Sequence, residues 1–244
     1  MSSNKEYDLI CSLGGNCAAA HNLRIRNLRT VAYPFDWTYF KSDRAIYKLA
    51  DNFVDGFKNF LKKENLELLP VNEAHSDKFQ YLDKYSDIIW ANHFCSSIEN
   101  EHTYLAVKTK IDRRFKRLID NIAKSSSILF VISVYYETQL DAFKYLHNIL
   151  KTLYPNKKFD IKVISFNCLN DELLTENNIE LYKYKRATNN YDFTKTNYEW
   201  AFLDKVEMAK TSSVRGRTLS MLPRKLCSIS CGKYRLKLVL EMRI

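Results

Sequence analysis

The chain has 244 residues, of which 46% are apolar, which is enough for one globular domain with a full core and excludes disorder throughout. Its five glycines and four prolines are too few for an all-β fold with many tight turns. Of the formal net charge of +10, +8 belongs to residues 205–244, which hold ten Lys or Arg and two acids, so the rest of the chain is nearly neutral.

The first residues, MSSNKEYD, are polar and lack the apolar core of a signal peptide. No apolar run approaches the roughly 18 residues that a membrane-spanning helix needs. The six cysteines are scattered without the spacing of a disulfide framework, so we expect reduced thiols in a cytoplasmic protein. Cys227 and Cys231 lie four residues apart, but no second pair of ligands accompanies them, and no metal site is predicted.

Apolar periodicity predicts strands that alternate with helices. The predicted strands are 7–13, 85–94, 127–134, 159–166 and 179–186. The predicted helices are 16–28, 106–124, 138–154 and 197–210, together with one or two helices within 43–66. This alternation favours an α/β fold, with a central and mostly parallel sheet of about five strands flanked by helices. Residues 1–210 would form this single domain, and residues 211–244 a basic C-terminal tail that is partly ordered at most.

The first predicted strand and helix meet at SLGGNC, which places Cys17 at the start of the helix. In parallel α/β sheets, ligands bind beyond the carboxyl ends of the strands. Gly14 and Gly15 permit close approach by a substrate, and the helix N-terminus favours a thiolate and offers amides to an oxyanion. The motif therefore suits a nucleophilic cysteine, although a packed thiol is also consistent with it. Nucleotide binding is not expected, because the third glycine of a dinucleotide fingerprint and the lysine of a P-loop are missing.

Two histidines are candidates for the base that would activate Cys17. His21 follows Cys17 by four residues, so both side chains can share one helix face. His93 ends the second predicted strand, at what we expect to be the carboxyl edge of the sheet. Strand-end geometry favours His93, and proximity in sequence favours His21.

Asp36, in the segment PFDW, is the carboxylate of most interest. It could orient a histidine as the third member of a triad, or cap a helix that follows it. Arg24 and Arg29 could bind an anionic substrate or form structural ion pairs. The basic run at 113–117 is most simply a solvated helix face.

The blocks SLGGNCAAAHNLRIRNLRTVAYPFDW, NHF and IDRRFKRLIDNI resemble the successive blocks of the DUF1796 family, a bacterial family described as papain-like cysteine peptidases. The resemblance implies that Cys17 is the nucleophile and His93 its partner. Papain-like peptidases usually place a glutamine shortly before the nucleophile, and this chain has none. Asn16 and Gly15, together with the amide of Cys17, would have to bind the oxyanion instead. A strand–Gly–Gly–Cys–helix unit is at least as compatible with an α/β hydrolase or transferase as with a two-lobed peptidase.

We therefore expect a thiol-dependent hydrolase or acyl-type transferase with a Cys–His pair, no metal and no cofactor. Its substrate would be a peptide, an acyl compound or a glycan conjugate, since the resemblance implies a link to bacterial surface polysaccharides. The alternative expectation is a non-catalytic α/β binding module. In that case the basic tail would dock onto an acidic partner, a membrane or nucleic acid, the last being the least expected.

Overall fold

The computed structural model of the protein describes residues 5–70, 79–185 and 198–209. Eleven strands are assigned in these ranges: β1 (Lys5–Tyr7), β2 (Leu9–Gly14), β3 (Thr38–Phe40), β4 (Leu66–Leu68), β5 (Phe79–Asp83), β6 (Ile88–Phe94), β7 (Ser127–Val134), β8 (Lys158–Phe166), β9 (Glu172–Glu176), β10 (Ile179–Tyr184) and β11 (Val206–Met208). The α-helices of these ranges are α1 (Cys17–Ile25), α2 (Arg44–Asp55), α3 (Glu101–Lys124) and α4 (Leu140–Leu153).

The central sheet has the order β2-β7-β8-β10-β9. The pairs β2–β7, β7–β8 and β8–β10 are parallel, and β9 pairs with β10 in the antiparallel direction. β7 is buried along nearly its whole length, as expected for a strand covered on both faces. The predicted α/β architecture with a sheet of parallel strands is therefore confirmed.

A second sheet, of four antiparallel strands, has the order β3-β6-β5-β4. The predicted strand at 85–94 is present as β6, but it belongs to this sheet and not to the central one. Our expectation that His93 marks the carboxyl edge of the parallel sheet was therefore wrong. The apolar pattern of β6 shows that the strand is buried, but it carries no information about which strand pairs with it.

The central sheet is covered on both faces. One apolar cluster packs α2, α3, α4 and the second sheet against residues such as Leu9 and Leu13 of β2. A smaller cluster on the other face contains α1 together with Trp200 and Leu203 from a 3₁₀ helix at Tyr198–Lys205. The carboxyl end of β2 thus leads directly into α1, which packs on this second face of the sheet.

Two predicted helices are shorter than the sequence pattern indicated. Of the one or two helices predicted within 43–66, α2 is present and ends at Asp55, because Gly56 adopts a left-handed conformation (φ 68°) and terminates it. The end of the stretch forms only a 3₁₀ turn at Lys63–Asn65. The helix predicted at 197–210 is the 3₁₀ helix followed by β11, which pairs in parallel with β1. The predicted domain boundary at residue 210 and the basic tail lie outside the described residues and stay predictions. Within the described ranges, the structure has no helix that is both long and apolar enough to cross a bilayer.

Candidate active site

Gly14 and Gly15 form the turn between β2 and α1, and both have positive φ (94° and 89°). A Cβ on Gly15 would lie 2.3 Å from the carbonyl oxygen of Ser133, and a Cβ on Gly14 would lie 2.6 Å from Oγ1 of Thr38. Both contacts are impossible for a side chain, so the turn requires glycine at both positions. The two glycines therefore allow other parts of the protein to pack closely against the turn. We had expected them to make room for a substrate.

α1 begins at Cys17, and Asn16 is its N-cap. The Oδ1 of Asn16 accepts a hydrogen bond from the backbone amide of Ala18 at 2.9 Å. The side-chain nitrogen Nδ2 of Asn16 is buried and has no hydrogen-bond partner among the described residues. An unused N–H donor thus lies on the residue directly before the thiol.

The hydroxyl of Tyr39 donates a hydrogen bond to Sγ of Cys17 at 3.8 Å. Tyr39 lies on β3, whose next residue, Phe40, donates its backbone amide to the carbonyl oxygen of Gly15 at 3.2 Å. The side chain of Asn92, on β6, lies close enough to the Tyr39 hydroxyl to oppose the rise in its pKa. The second sheet therefore places the phenol of Tyr39 against the thiol that follows β2 of the central sheet.

Cys17 is 5% exposed. Burial raises the pKa of its thiol, while the hydrogen bonds from Tyr39 and from the backbone amide of Cys17 itself act in the opposite direction. Burial likewise raises the pKa of Tyr39, and the neighbouring Cys17 adds to this effect. The thiol and the phenol are therefore both neutral near pH 7, so the helix N-terminus alone does not produce the thiolate that we expected there.

His21 lies one turn after Cys17 on α1 and is buried. Its Nδ1 is 3.2 Å from Nη2 of Arg24, the exposed arginine one turn further along. Because a guanidinium only donates hydrogen bonds, Nδ1 acts as the acceptor in this contact. Arg24 therefore orients the His21 ring, and its predicted role in binding a substrate stays a prediction.

His93 lies at the end of β6 and is 9% exposed. Its ring packs edge-on against Trp90, with ring centroids 5.1 Å apart. Burial lowers its pKa to about 3, and the positive charges of Lys110 and Arg114 on α3 add to the shift. Within the described ranges, neither His93 nor His21 forms a hydrogen bond with Sγ of Cys17, so the Cys17–His93 pair stays a prediction.

The carboxylate of Asp36 is fully buried in the turn that precedes β3. Its Oδ2 accepts hydrogen bonds from Nη2 of Arg29 at 2.5 Å and from the backbone amide of Tyr33 at 2.8 Å. Burial raises the pKa of Asp36, and Arg29 opposes that shift. The interpretation of Asp36 as a helix cap was wrong, because the next helix begins only at Arg44. Among the described residues, Asp36 pairs with an arginine and forms no hydrogen bond with a histidine.

α3 contributes two further basic residues to this turn. Nη1 of Arg117 donates to the carbonyl oxygen of Ala32 at 2.9 Å, and the charge of Arg114 acts on Asp36. Both arginines are half-buried, whereas Arg113 and Lys116 are exposed. The basic run at 113–117 is therefore not uniformly a solvated face: each half-buried arginine faces the PFDW turn.

The buried cysteines Cys11, Cys17 and Cys168 are free thiols. No group of three or more His, Cys, Asp or Glu side chains within the described ranges could hold a metal ion. The possible zinc ligands Cys227 and Cys231 lie outside those ranges. Sequence reasoning missed Tyr39 and Asn92. Asn92 is the first residue of the quoted block NHF, and Tyr39 lies two residues after the block that ends in PFDW, so their places in and beside these blocks were the local signal for them.

Comparison with known proteins gives one match. The model of a family described as "Putative papain-like cysteine peptidase (DUF1796)" matches residues 8–169, about two thirds of the chain. No curated protein and no solved structure matches the chain. The matched range contains β2, the glycine turn, Cys17, the PFDW turn and His93, as the resemblance of the sequence blocks predicted. The chain therefore belongs to the DUF1796 family.

Proposed function

We propose that this protein is a thiol-dependent hydrolase that cleaves an acyl compound, with Cys17 as its nucleophile. The observation that carries the proposal is the environment of the thiol. Sγ lies at the first residue of α1, with a phenol directed at it and an unused amide donor on the preceding residue. Membership of a family described as cysteine peptidases supports the same chemistry.

In the proposed reaction, Sγ of Cys17 forms a bond to the carbonyl carbon of the substrate. The carbonyl oxygen becomes an oxyanion, to which Nδ2 of Asn16 and the backbone amide of Cys17 donate hydrogen bonds. The leaving group departs with the thiol proton, and water then hydrolyses the resulting thioester. Removing one oxyanion donor typically lowers such rates by about 100- to 1,000-fold.

Tyr39 is proposed to stabilise the thiolate. Its hydroxyl donates to Sγ and keeps its proton, because burial raises the pKa of the phenol. A hydrogen bond to a charged acceptor is stronger than one to a neutral acceptor, so this contact favours the ionised thiol. The side chain of Asn92 helps to hold the phenol in place.

We propose His21 as the acceptor of the thiol proton. His93 was favoured as the base because its strand was expected in the parallel sheet. β6 belongs to the second sheet instead. His21 shares its helix with Cys17 and lies one turn away. Accepting the proton at Nε2 requires Nδ1 to carry a hydrogen, so the contact with Arg24 must open. Because Arg24 is exposed, opening this contact costs only about 1 kcal/mol.

Reaction with 4-nitrophenyl acetate, followed by mass spectrometry of the intact protein and its peptides, tests the nucleophile. We expect one acetyl group, carried by Cys17, and none on a Cys17→Ser variant. Acetylation confined to the exposed Cys95 would contradict the proposal and favour the alternative function, a non-catalytic α/β module in which Cys17 is a packed thiol.

The pH dependence of the same acetylation rate tests the base. His21→Gln should lower the rate by about 100-fold near neutral pH, in line with the usual contribution of a general base. His93→Gln should leave the rate within about threefold. The reverse result would assign the base to His93, as the family resemblance implies, and would remove His21 from the mechanism.

A further inference from the structure

A cleft opens between the end of α2, the middle of α3 and Tyr154, the residue that follows α4. Its volume is about 560 Å³, which is within the range of small-molecule sites. Gly56 forms part of its wall, and a Cβ at this position would meet no heavy atom within 4 Å. Cys17 and Tyr39 do not line the cleft, so it is distinct from the candidate active site.

The floor of the cleft is aromatic. The rings of Phe57 and Phe115 are stacked, with centroids 4.3 Å apart and planes at 21°. Phe53 packs edge-on against Phe57, with centroids 5.0 Å apart. Ile119 and Tyr154, both half-buried, extend this apolar surface towards solvent. Such a surface favours a ligand with an aromatic ring, which can pack on these rings by stacking or by edge contacts.

The backbone at Phe57 is strained. Phe57 has a φ of 61°, a left-handed conformation that bulky side chains rarely adopt, and Gly56 before it is also left-handed. The backbone amide of Phe57 donates to the carbonyl oxygen of Asn52 at 3.0 Å and to Oδ1 of Asp55 at 2.8 Å, which holds this conformation. Such strain costs about 1–3 kcal/mol and is concentrated at sites that bind ligands. The strained residue thus supplies a ring to the floor of the cleft.

The rim of the cleft carries one positive charge without a partner. Nζ of Lys108 donates to both oxygens of Asp112, at 2.6 and 2.7 Å. Nζ of Lys116 pairs in the same way with Asp120, at 3.0 Å. Lys58, just after α2, is exposed and forms no ion pair with any residue in the described part of the chain. The two aspartates are therefore compensated, and Lys58 leaves the rim with a charge of +1.

The polar groups that the cleft leaves unpaired are both donors. One is the ammonium of Lys58. The other is the hydroxyl of Tyr154, which burial keeps protonated by raising its pKa and which forms no hydrogen bond within residues 5–70, 79–185 and 198–209. A ligand of this cleft must therefore accept hydrogen bonds and carry one negative charge, and a carboxylate does both.

We infer that this cleft binds an aromatic carboxylate. The ring of the ligand packs on the floor formed by Phe57 and Phe115, and its carboxylate pairs with Lys58. The site does not depend on the thiol chemistry proposed for Cys17.

Isothermal titration of the full chain with 2-naphthoate at pH 7 tests this site. 2-Naphthamide, which has the same rings and no charge, is the matched ligand and should bind about tenfold more weakly. Lys58→Met should lower the affinity for 2-naphthoate about tenfold and leave that for the amide unchanged. Lys124→Met, which removes an exposed charge from the end of α3 outside the cleft, should bind both ligands like the unmodified protein.

Methyl NMR signals of the unmodified protein locate the bound ring. The signals of Ile119, assigned with Ile119→Val, should move on addition of 2-naphthoate. No binding of 2-naphthoate, equal affinity for the amide, unchanged affinity in Lys58→Met, or Ile119 signals that do not move would each overturn the inference. Tighter binding of octanoate than of 2-naphthoate would overturn the assignment of an aromatic ligand.

Discussion

At Cys17, burial and hydrogen bonding act on one thiol in opposite directions. Burial raises the pKa of the thiol, and the hydroxyl of Tyr39 partly offsets the effect. A protonated thiol in the resting protein is unreactive, so its reactivity depends on the groups that remove the proton and stabilise the anion. Substitution of Tyr39 should therefore change the pKa of the Cys17 thiol most directly.

Tyr39→Phe should raise the pKa of the Cys17 thiol further, by about one pH unit, because the ionised sulfur loses a donor. The measurement is the rate of iodoacetamide alkylation of Cys17 as a function of pH. Tyr47→Phe, which removes a hydroxyl from an exposed residue of α2, is the matched control and should leave the profile unchanged. An unshifted profile in Tyr39→Phe would show that the phenol does not act on the sulfur.

His93 should make the stability of the protein depend on pH. Its pKa is lowered to about 3 in the folded protein, against about 6.5 in the unfolded chain, so the unfolded chain binds the proton first as the pH falls. The free energy of unfolding should therefore fall below about pH 6.5, by up to about 1.4 kcal/mol per pH unit.

Urea denaturation at pH 7 and pH 5 measures this effect. The loss of stability between the two values should be about 2 kcal/mol larger in the unmodified protein than in His93→Gln. His102→Gln, at an exposed position of α3, should behave like the unmodified protein. Equal losses in His93→Gln and the unmodified protein would mean that His93 is not buried as the structure shows.

At the scale of elements, the turn between β2 and α1 determines where the thiol lies. Gly14 and Gly15 bring this turn against β7 and the PFDW turn, and a hydrogen bond from Phe40 joins it to β3. The second sheet is therefore held against the start of α1, which explains why Tyr39 reaches Sγ. The SLGGNC motif thus determines how the β2–α1 turn packs against its neighbours, in addition to supplying the thiol.

Gly15→Ala should lower the free energy of unfolding by at least about 2 kcal/mol more than Gly56→Ala. Both glycines have positive φ, so both substitutions introduce left-handed backbone strain. A Cβ at Gly15 also collides with the carbonyl oxygen of Ser133, whereas a Cβ at Gly56 meets no heavy atom within 4 Å. Urea denaturation of the two variants provides the comparison, and equal losses would contradict this packing.

Elements with an apolar pattern of their own could be predicted from the sequence. Contacts between residues that lie far apart along the chain could not. The face of α3 with Val107, Ile111 and Phe115 is regular enough to predict the helix, and the continuous apolar run of β7 predicts a doubly covered strand. β3 has only three residues, so no period is visible in it. The charges of Lys110 and Arg114 act on His93, and that of Arg114 also acts on Asp36. Both cations lie on α3, and no spacing in the sequence indicates these long-range effects.

At the scale of the whole molecule, three parts meet near the family's sequence blocks. The central sheet and α1 supply Cys17, and the second sheet supplies Tyr39 and His93. α3 supplies Lys110 and Arg114, whose charges act on His93. All three lie within residues 8–169, the range matched by the family model.

The central claim is that Cys17 attacks a carbonyl whose oxyanion is bound by Asn16. Asn16→Ser keeps a side-chain oxygen for the cap of α1 and removes the Nδ2 donor. The decisive measurement is the ratio of Cys17 acetylation by 4-nitrophenyl acetate to Cys17 alkylation by iodoacetamide, because only acetylation passes through an oxyanion. The ratio should fall by about 100-fold in Asn16→Ser, with alkylation nearly unchanged. An unchanged ratio would contradict the account.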